Sequence, residues 1–150
     1  MPKLDGAESA EIDAPIDEVF AIAADVGRAP EWQGTMQSAT VLESDAEGRP
    51  VLVETVADAK VAQVKVKLRF SYDPPTGMSW ERVGGDLKSM RGSWTFEDLG
   101  GGRTRATYAM EGDPGFLLGQ ALRGPVLDQA RKAIIGRPPA GLKRRAEGSG

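Results

Sequence analysis

The chain of 150 residues is long enough for one domain with a substantial core, and its 40% hydrophobic and 27% charged residues are ordinary for a globular protein. Its net charge of −3 lacks the basic excess of nucleic-acid-binding proteins. The sequence contains no cysteine and no histidine, which excludes disulfides and thiolate chemistry and removes the usual zinc ligands and the commonest general base. We therefore expect a single domain over residues 1–150, in a reducing cytoplasm, with no metal site, cofactor or nucleic-acid partner.

The N-terminal part predicts a short strand followed by a helix. It has no apolar run of the signal-peptide type, and the longest apolar run, Val19–Ala24, is too short for membrane insertion. The predicted strand is Ala10–Asp13, and Pro15 suits the first helical position because its missing N–H costs nothing there. The helix has one apolar face, and a very short second helix ends at Trp32. The residues of this apolar face are Ile16, Val19, Phe20 and Ala23.

Six further strands are predicted, joined by short polar or glycine-rich turns. The third of them, Val61–Asp73, alternates strictly between apolar and polar residues, which excludes a helix and predicts an antiparallel sheet with one solvent-exposed face. In the fifth, Gly92 is in phase with Trp94, which predicts a bulge, a bend or a close approach. The six predicted ranges are Met36–Glu43, Val51–Asp58, Val61–Asp73, Met78–Val83, Leu87–Asp98 and Thr104–Glu111.

The last part of the chain, from Phe116 onward, predicts helix. Leu118 and Leu122 share one helical face, and the main helix is expected from Pro125 to Ile135. Pro138 and Pro139 then predict a kink or break, because an interior proline removes a backbone hydrogen bond. One or two final turns are expected over residues 140–147.

Three stretches of sequence carry a family resemblance. They are EIDAPIDEVFAIAADVGRAPEW, MSWERVGGDLKSMRGSWTFEDLGGGRTRATYAM and PAGLKRRAEG. Together they resemble the START-related helix-grip proteins, and more narrowly the polyketide cyclase/dehydrase and SRPBCC branch. The resemblance spans roughly residues 7–147. Two departures are Pro138-Pro139, where many relatives have an unbroken helix, and Arg82, where an aliphatic residue is expected.

The resemblance implies an α+β helix-grip fold. A curved seven-stranded antiparallel sheet would wrap around a long C-terminal helix, in the order β-α-α-β6-α, with a deep cavity for an apolar ligand between them. Strand phase and helix faces then predict the ligand-binding residues. They are Trp32, Val66, Leu68, Phe70, Met78, Trp80, Arg82, Trp94, Tyr108, Met110, Leu118 and Leu122.

Arg82 is the most distinctive of these residues, because its parity matches Met78 and Trp80 and predicts that it points inward. A buried guanidinium needs an anion or several acceptors, so it would meet a carboxylate or carbonyl of a ligand. The alternative is that Arg82 lies at the strand end and extends its side chain to solvent. The same alternatives apply to Lys88, which is in phase with Met90.

Two classes of function remain open. The first is binding or carrying a lipophilic small molecule, such as a fatty acid, isoprenoid, quinone or polyketide-like compound, with no catalytic residue. The second is a polyketide cyclase/dehydratase-type enzyme in which Arg82 and Tyr108 stabilise an enolate as donors. The sequence favours binding, because no general base is evident among the inward positions. It is compatible with a monomer or a homodimer.

Overall fold

A seven-stranded antiparallel sheet dominates the computed structural model, which describes residues 4–58, 63–115, 120 and 124–148. The strand order is β1-β7-β6-β5-β4-β3-β2, so six strands form a meander and the N-terminal strand closes on β7. The strands are β1 (Leu4–Ile12), β2 (Met36–Ser44), β3 (Pro50–Asp58), β4 (Gln63–Asp73), β5 (Gly77–Gly85), β6 (Ser89–Gly100) and β7 (Arg103–Asp113).

The helix-grip arrangement is confirmed, with the sheet curved around the C-terminal helical segment. The predicted bounds of the six meander strands agree to within two residues where the chain is described; the turn predicted near residues 59 and 60 lies outside the described residues. The first strand differs, because it begins at Leu4 instead of Ala10 and pairs with β7 along its whole length. Residues 5–9 of this edge strand are exposed, so they carry none of the apolar alternation by which a strand is recognised.

The first helix, α1 (Ile16–Ala24), packs its predicted apolar face against the sheet and buries Val19, Phe20 and Ala23. Pro15 is the residue before the helix, one position earlier than predicted, and Asp17 and Glu18 place negative charge in the first turn. A 3-10 helix follows over Val26–Glu31 and ends at Trp32, as expected.

The C-terminal helical segment is continuous from Pro125 to Ala146, so of the kink or break predicted at Pro138-Pro139 the break is wrong. It consists of α2 (Pro125–Arg131), a π-helical turn (Lys132–Gly136) and α3 (Arg137–Ala146). The wider π turn ends just before the two prolines, which then lie in the first turn of α3, where no backbone N–H is needed. The predicted helix face of Leu118 and Leu122 lies outside the described residues.

The main core lies between the concave face of the sheet and the helices. Ile12, Trp94, Ile135 and Leu142 are among its fully buried side chains. Two hydrogen bonds fasten the end of β1: the Thr104 hydroxyl donates to the Ala14 carbonyl over 2.8 Å, and the Asp13 backbone N–H donates to the Glu147 carboxylate. In the described part of the chain, every helix is too short or too polar to span a bilayer.

Candidate functional site

Two rows of inward side chains cross the middle of the sheet. Strand pairing places Phe70 opposite Trp80, and Trp94 opposite both Met78 and Tyr108. The rings contact one another across the strands, with centroid separations of 5.6 Å for Phe70–Trp80, 5.6 Å for Trp80–Tyr108 and 4.9 Å for Trp94–Tyr108. Such separations and tilted geometries are those of favourable aromatic pairs. The concave face therefore presents a connected aromatic surface.

Gly92 provides the space in which the Trp80 ring lies. It is paired with Trp80 on β5 and with Met110 on β7. A Cβ atom built on Gly92 would lie 2.6 Å from three atoms of the Trp80 indole, closer than any real contact. The glycine predicted to mark a bulge, bend or close approach thus marks a close approach, in which an aromatic ring covers a strand glycine.

A cavity of about 70 Å³ lies between this aromatic surface, α1, the 3-10 helix and the π turn. The sheet contributes most of its wall, α1 and the 3-10 helix contribute small apolar side chains, and the π turn contributes Ile134. Its described lining residues are Ala23, Val26, Ala29, Gln33, Thr35, Met36, Thr55, Ala57, Leu68, Phe70, Met78, Trp80, Met90, Trp94, Tyr108 and Ile134. None of these side chains is charged.

Four hydroxyl or amide groups interrupt the apolar wall. The Tyr108 phenol is one of them, and it forms no hydrogen bond with another described residue. Burial raises the pKa of this phenol, so it is neutral at physiological pH. The others are Gln33, Thr35 and Thr55, which are three of the four buried polar residues identified in the described chain. The Thr55 hydroxyl donates to the Val66 carbonyl over 3.2 Å.

Half of the predicted ligand-binding residues line this cavity: Leu68, Phe70, Met78, Trp80, Trp94 and Tyr108. Val66 and Met110 are buried on the same face but are not among the described lining residues. Trp32 lies behind Trp94, with ring centroids 6.2 Å apart, and packs against α3. Leu118 and Leu122 lie outside the described residues. The ligand-binding role of all these residues stays a prediction.

Arg82 lies near the end of the β5–β6 hairpin. It is not among the described lining residues of the concave cavity, but lines a separate groove together with Lys88. Its Nη2 donates to the Gly85 carbonyl over 2.8 Å and its Nε donates to the Asp86 carbonyl over 3.1 Å. Arg82 is paired with Leu68 on β4, so it shares the face of Leu68 and Trp80 as its parity predicts. The pairing of β5 with β6 ends at Glu81, however, and the Arg82 guanidinium bonds within its own hairpin. Lys88 is exposed on the same hairpin. The contacts of Arg82 are thus those of a turn-stabilising residue.

Several lining residues could not be identified as such from the sequence. Gln33, Thr35 and Thr55 are polar, and their strand or turn positions gave no signal of burial. Met36 and Met90 stand near the beginnings of strands, where phase alone does not show which side chains reach a cavity. Ile134 falls within the predicted main helix, and the π turn brings it to the cavity wall.

A larger groove of about 700 Å³ lies on the opposite, convex face of the sheet. Small residues such as Ser79, Ser93 and Ala109 form its floor, and charged side chains flank it. Arg91 and Glu111 on its side already form an ion pair at 2.9 Å. The groove is lined by exposed polar and charged side chains, whereas the concave cavity has a buried apolar and aromatic wall, so we place the candidate site on the concave face. Within the described residues, no group of three or more acidic side chains is placed to hold a metal ion.

One known protein family matches most of the chain. The model of the family described as "Polyketide cyclase / dehydrase and lipid transport" matches residues 12–137. The chain belongs to this family. Its cavity therefore lies within the matched region, since every described lining residue falls between Ala23 and Ile134. No curated protein matches the sequence.

Solved structures share the fold at low sequence identity. A START superfamily protein from Mycobacterium smegmatis aligns with a TM-score of 0.82 and 14% identity, over 97% of this chain and 99% of that one. A protein from Thermus thermophilus aligns with a TM-score of 0.82 and 18% identity, over 97% and 98%. The Zhui aromatase/cyclase from a Streptomyces species aligns with a TM-score of 0.74 and 16% identity, over 99% and 98%. At these identities, the likeness shows the fold alone.

Proposed function

We propose that this chain binds an apolar, ring-containing small molecule in the cavity between the sheet and the C-terminal helical segment, as a carrier or binding protein. The observation that supports this most strongly is the wall of the cavity. It combines four contacting aromatic rings with a few neutral polar groups and, among the described residues, no charged side chain. Small-molecule sites typically combine apolar and aromatic walls with a few placed polar groups in this way.

The volume of the cavity sets a condition on this proposal. At about 70 Å³ it is well below the ~300–1,000 Å³ typical of ligand sites, so a ligand of more than a few atoms must displace wall side chains. Three of the five methionines of the chain line the cavity, namely Met36, Met78 and Met90. Unbranched thioether side chains repack at low cost. The wall therefore contains three side chains of the type that adapts best to a ligand.

The alternative function is a cyclase/dehydratase-type reaction on a polyketide-like substrate, which the family description includes. It is favoured by one observation, the neutral and buried Tyr108 phenol in the cavity wall, which could donate a hydrogen bond to an enolate. Such a reaction also needs a base to remove a proton, and no described lining residue is a carboxylate or an amine. Arg82, the second expected donor, bonds to carbonyls of its own hairpin. We therefore rank binding above catalysis.

Native mass spectrometry of the protein purified from its own host tests the ranking, together with extraction of any co-purified compound. We expect one defined apolar compound, released unchanged on denaturation. A protein that carries nothing and instead converts a poly-β-keto thioester would overturn the ranking. The cytoplasmic location and the oligomeric state, monomer or homodimer, stay predictions.

A cavity-filling variant tests the location of the site. Ala57→Leu adds about three carbon atoms to a wall residue of the cavity, while Ala109→Leu adds the same atoms in the convex groove. We expect Ala57→Leu to weaken ligand binding at least about tenfold, the effect of losing ~1.4 kcal/mol of contacts, and Ala109→Leu to change it less than about twofold. Equal effects of the two variants would contradict the assignment to the concave face.

A further inference from the structure

We propose that Gln33, Thr35 and Thr55 form a polar subsite that binds an uncharged carbonyl or hydroxyl group carried by the ring of the ligand. This inference rests on the proposed function and narrows it. It assigns to the ligand a planar apolar body and a neutral polar substituent, and it excludes a carboxylate at that position.

The first reason is that two of these side chains belong to mostly buried residues of the cavity wall and have no hydrogen-bond partner among the described residues. Gln33 is 9% exposed and Thr35 is 8% exposed, and both line the cavity. Their backbones are bonded, since the Gln33 N–H donates to Ala29 over 2.8 Å and the Thr35 carbonyl accepts from Asp58 over 2.8 Å. Their side chains bond to no other described residue. A primary amide and a hydroxyl that line a cavity and bond to no protein group are available to a ligand that enters it.

The second reason is that the three groups lie at one end of the cavity. Met36 on β2 is paired with Ala57 on β3, which places Thr35 beside the strand that carries Thr55. The hydrogen bond from Asp58 to Thr35 fixes the same arrangement. The aromatic rings come from β4 to β7, toward the other side of the sheet. A ligand can therefore place its ring on Trp80 and its substituent between β2, β3 and the 3-10 helix.

The third reason concerns charge. A carboxylate at this end would be desolvated without a cation among the described lining residues, which costs far more than desolvating a carbonyl or hydroxyl. The Gln33 amide both donates and accepts, and Thr55, whose proton is used on Val66, can still accept. The subsite thus suits a neutral group that accepts, donates or does both.

Three probes of one shape test the inference at about pH 7: 2-naphthol, 2-methylnaphthalene and 2-naphthoate. Dissociation constants from calorimetry give the preference for the hydroxyl, defined as the Kd of 2-methylnaphthalene divided by the Kd of 2-naphthol. We expect Gln33→Leu to lower this preference about tenfold, the effect of one hydrogen bond to a buried group. The wild-type protein should bind 2-naphthoate at least about tenfold more weakly than 2-naphthol.

The matched control is Gln37→Leu. Gln37 is exposed on β2, where its side-chain carbonyl accepts from Gln63 over 2.7 Å, so the same substitution removes an amide outside the cavity. This variant should leave the preference within about twofold of wild type. Thr35→Val, which removes the hydroxyl and keeps the shape, should lower the preference in the same direction as Gln33→Leu and serves if that variant does not fold.

The possible outcomes distinguish a failure of the polar subsite from a failure of the proposed binding function. If both naphthalenes bind and Gln33→Leu leaves the preference unchanged, or if 2-naphthoate binds more tightly than 2-naphthol, the polar subsite is wrong and the proposed binding function stands. If none of the three probes binds to the wild-type protein, both the subsite and the proposed function are overturned.

Discussion

Substitution of Gly92 by alanine should damage both the sheet and the cavity through a single contact. The new Cβ atom would lie 2.6 Å from the Trp80 ring, whereas ordinary contacts of this kind begin near 3.4 Å. The indole must therefore move by roughly 1 Å, and the atoms it meets next belong to Phe70 and Tyr108. The displacement is directed into the cavity, because Trp80 forms part of its wall.

The size of the effect is a difference between two opposing contributions. Overpacking of a well-packed core costs about 1–3 kcal/mol. Replacing glycine by alanine also lowers the entropy of the unfolded chain, which stabilises by about 0.4–1 kcal/mol because Gly92 does not adopt a left-handed conformation. We expect a net loss of about 1–2 kcal/mol, or roughly 2–8 °C in Tm for a domain of this size.

Urea unfolding and titration with 2-naphthol measure the two consequences. The matched control is Gly84→Ala, also in a strand, where a Cβ atom would meet only Lys67 at 3.9 Å. This control should be neutral or slightly stabilising and should leave binding unchanged. Unchanged stability and binding in Gly92→Ala would refute the reasoning. Adding Trp80→Leu should relieve the clash, so the double variant should be less destabilised than the sum of the two single effects.

Two further predictions follow from buried contacts. Above about pH 10 the unfolded chain ionises Tyr108, while burial raises the pKa of the folded phenol and keeps it neutral. The free energy of unfolding should therefore fall by up to ~1.4 kcal/mol per pH unit more in the wild type than in Tyr108→Phe. Urea unfolding between about pH 9 and pH 11.5 measures these slopes, and identical slopes would contradict the prediction. A Cβ atom on Gly141 would overlap the Trp32 carbonyl oxygen, so Gly141→Ala should lower the free energy of unfolding by about 1–3 kcal/mol. The control is Gly136→Ala, which lies in open space on the same helical segment and should not lower the free energy of unfolding. A stabilised Gly141→Ala variant would show that the helix is not held against Trp32.

The meander and the first helix could be predicted because burial in them follows a simple period. Alternation from Val64 to Tyr72 matches the observed burial of β4, with Tyr72 partly buried at its end. The π turn could not be predicted, since two adjacent prolines normally indicate a break. They are accommodated here because the widened turn places them where no N–H is needed.

The candidate site was only partly predictable, because strand phase identifies the face of a side chain but not its neighbours. Phase gives Trp80, Trp94 and Arg82 the same face of the sheet, and the strand register agrees, but it could not show that the Arg82 guanidinium bonds to carbonyls of its own hairpin. Gln33 shows the opposite case. Its burial depends on the chain turning back from the 3-10 helix into β2, which no local pattern indicates.

Nuclear magnetic resonance of the protein labelled at the methionine methyl groups tests the central proposal most directly. With 2-naphthol bound, we expect intermolecular nuclear Overhauser effects between the naphthol ring and the methyl groups of Met36, Met78 and Met90, which lie around the cavity. Saturable binding that gives none of these effects would place the ligand elsewhere and contradict binding between the sheet and the helical segment.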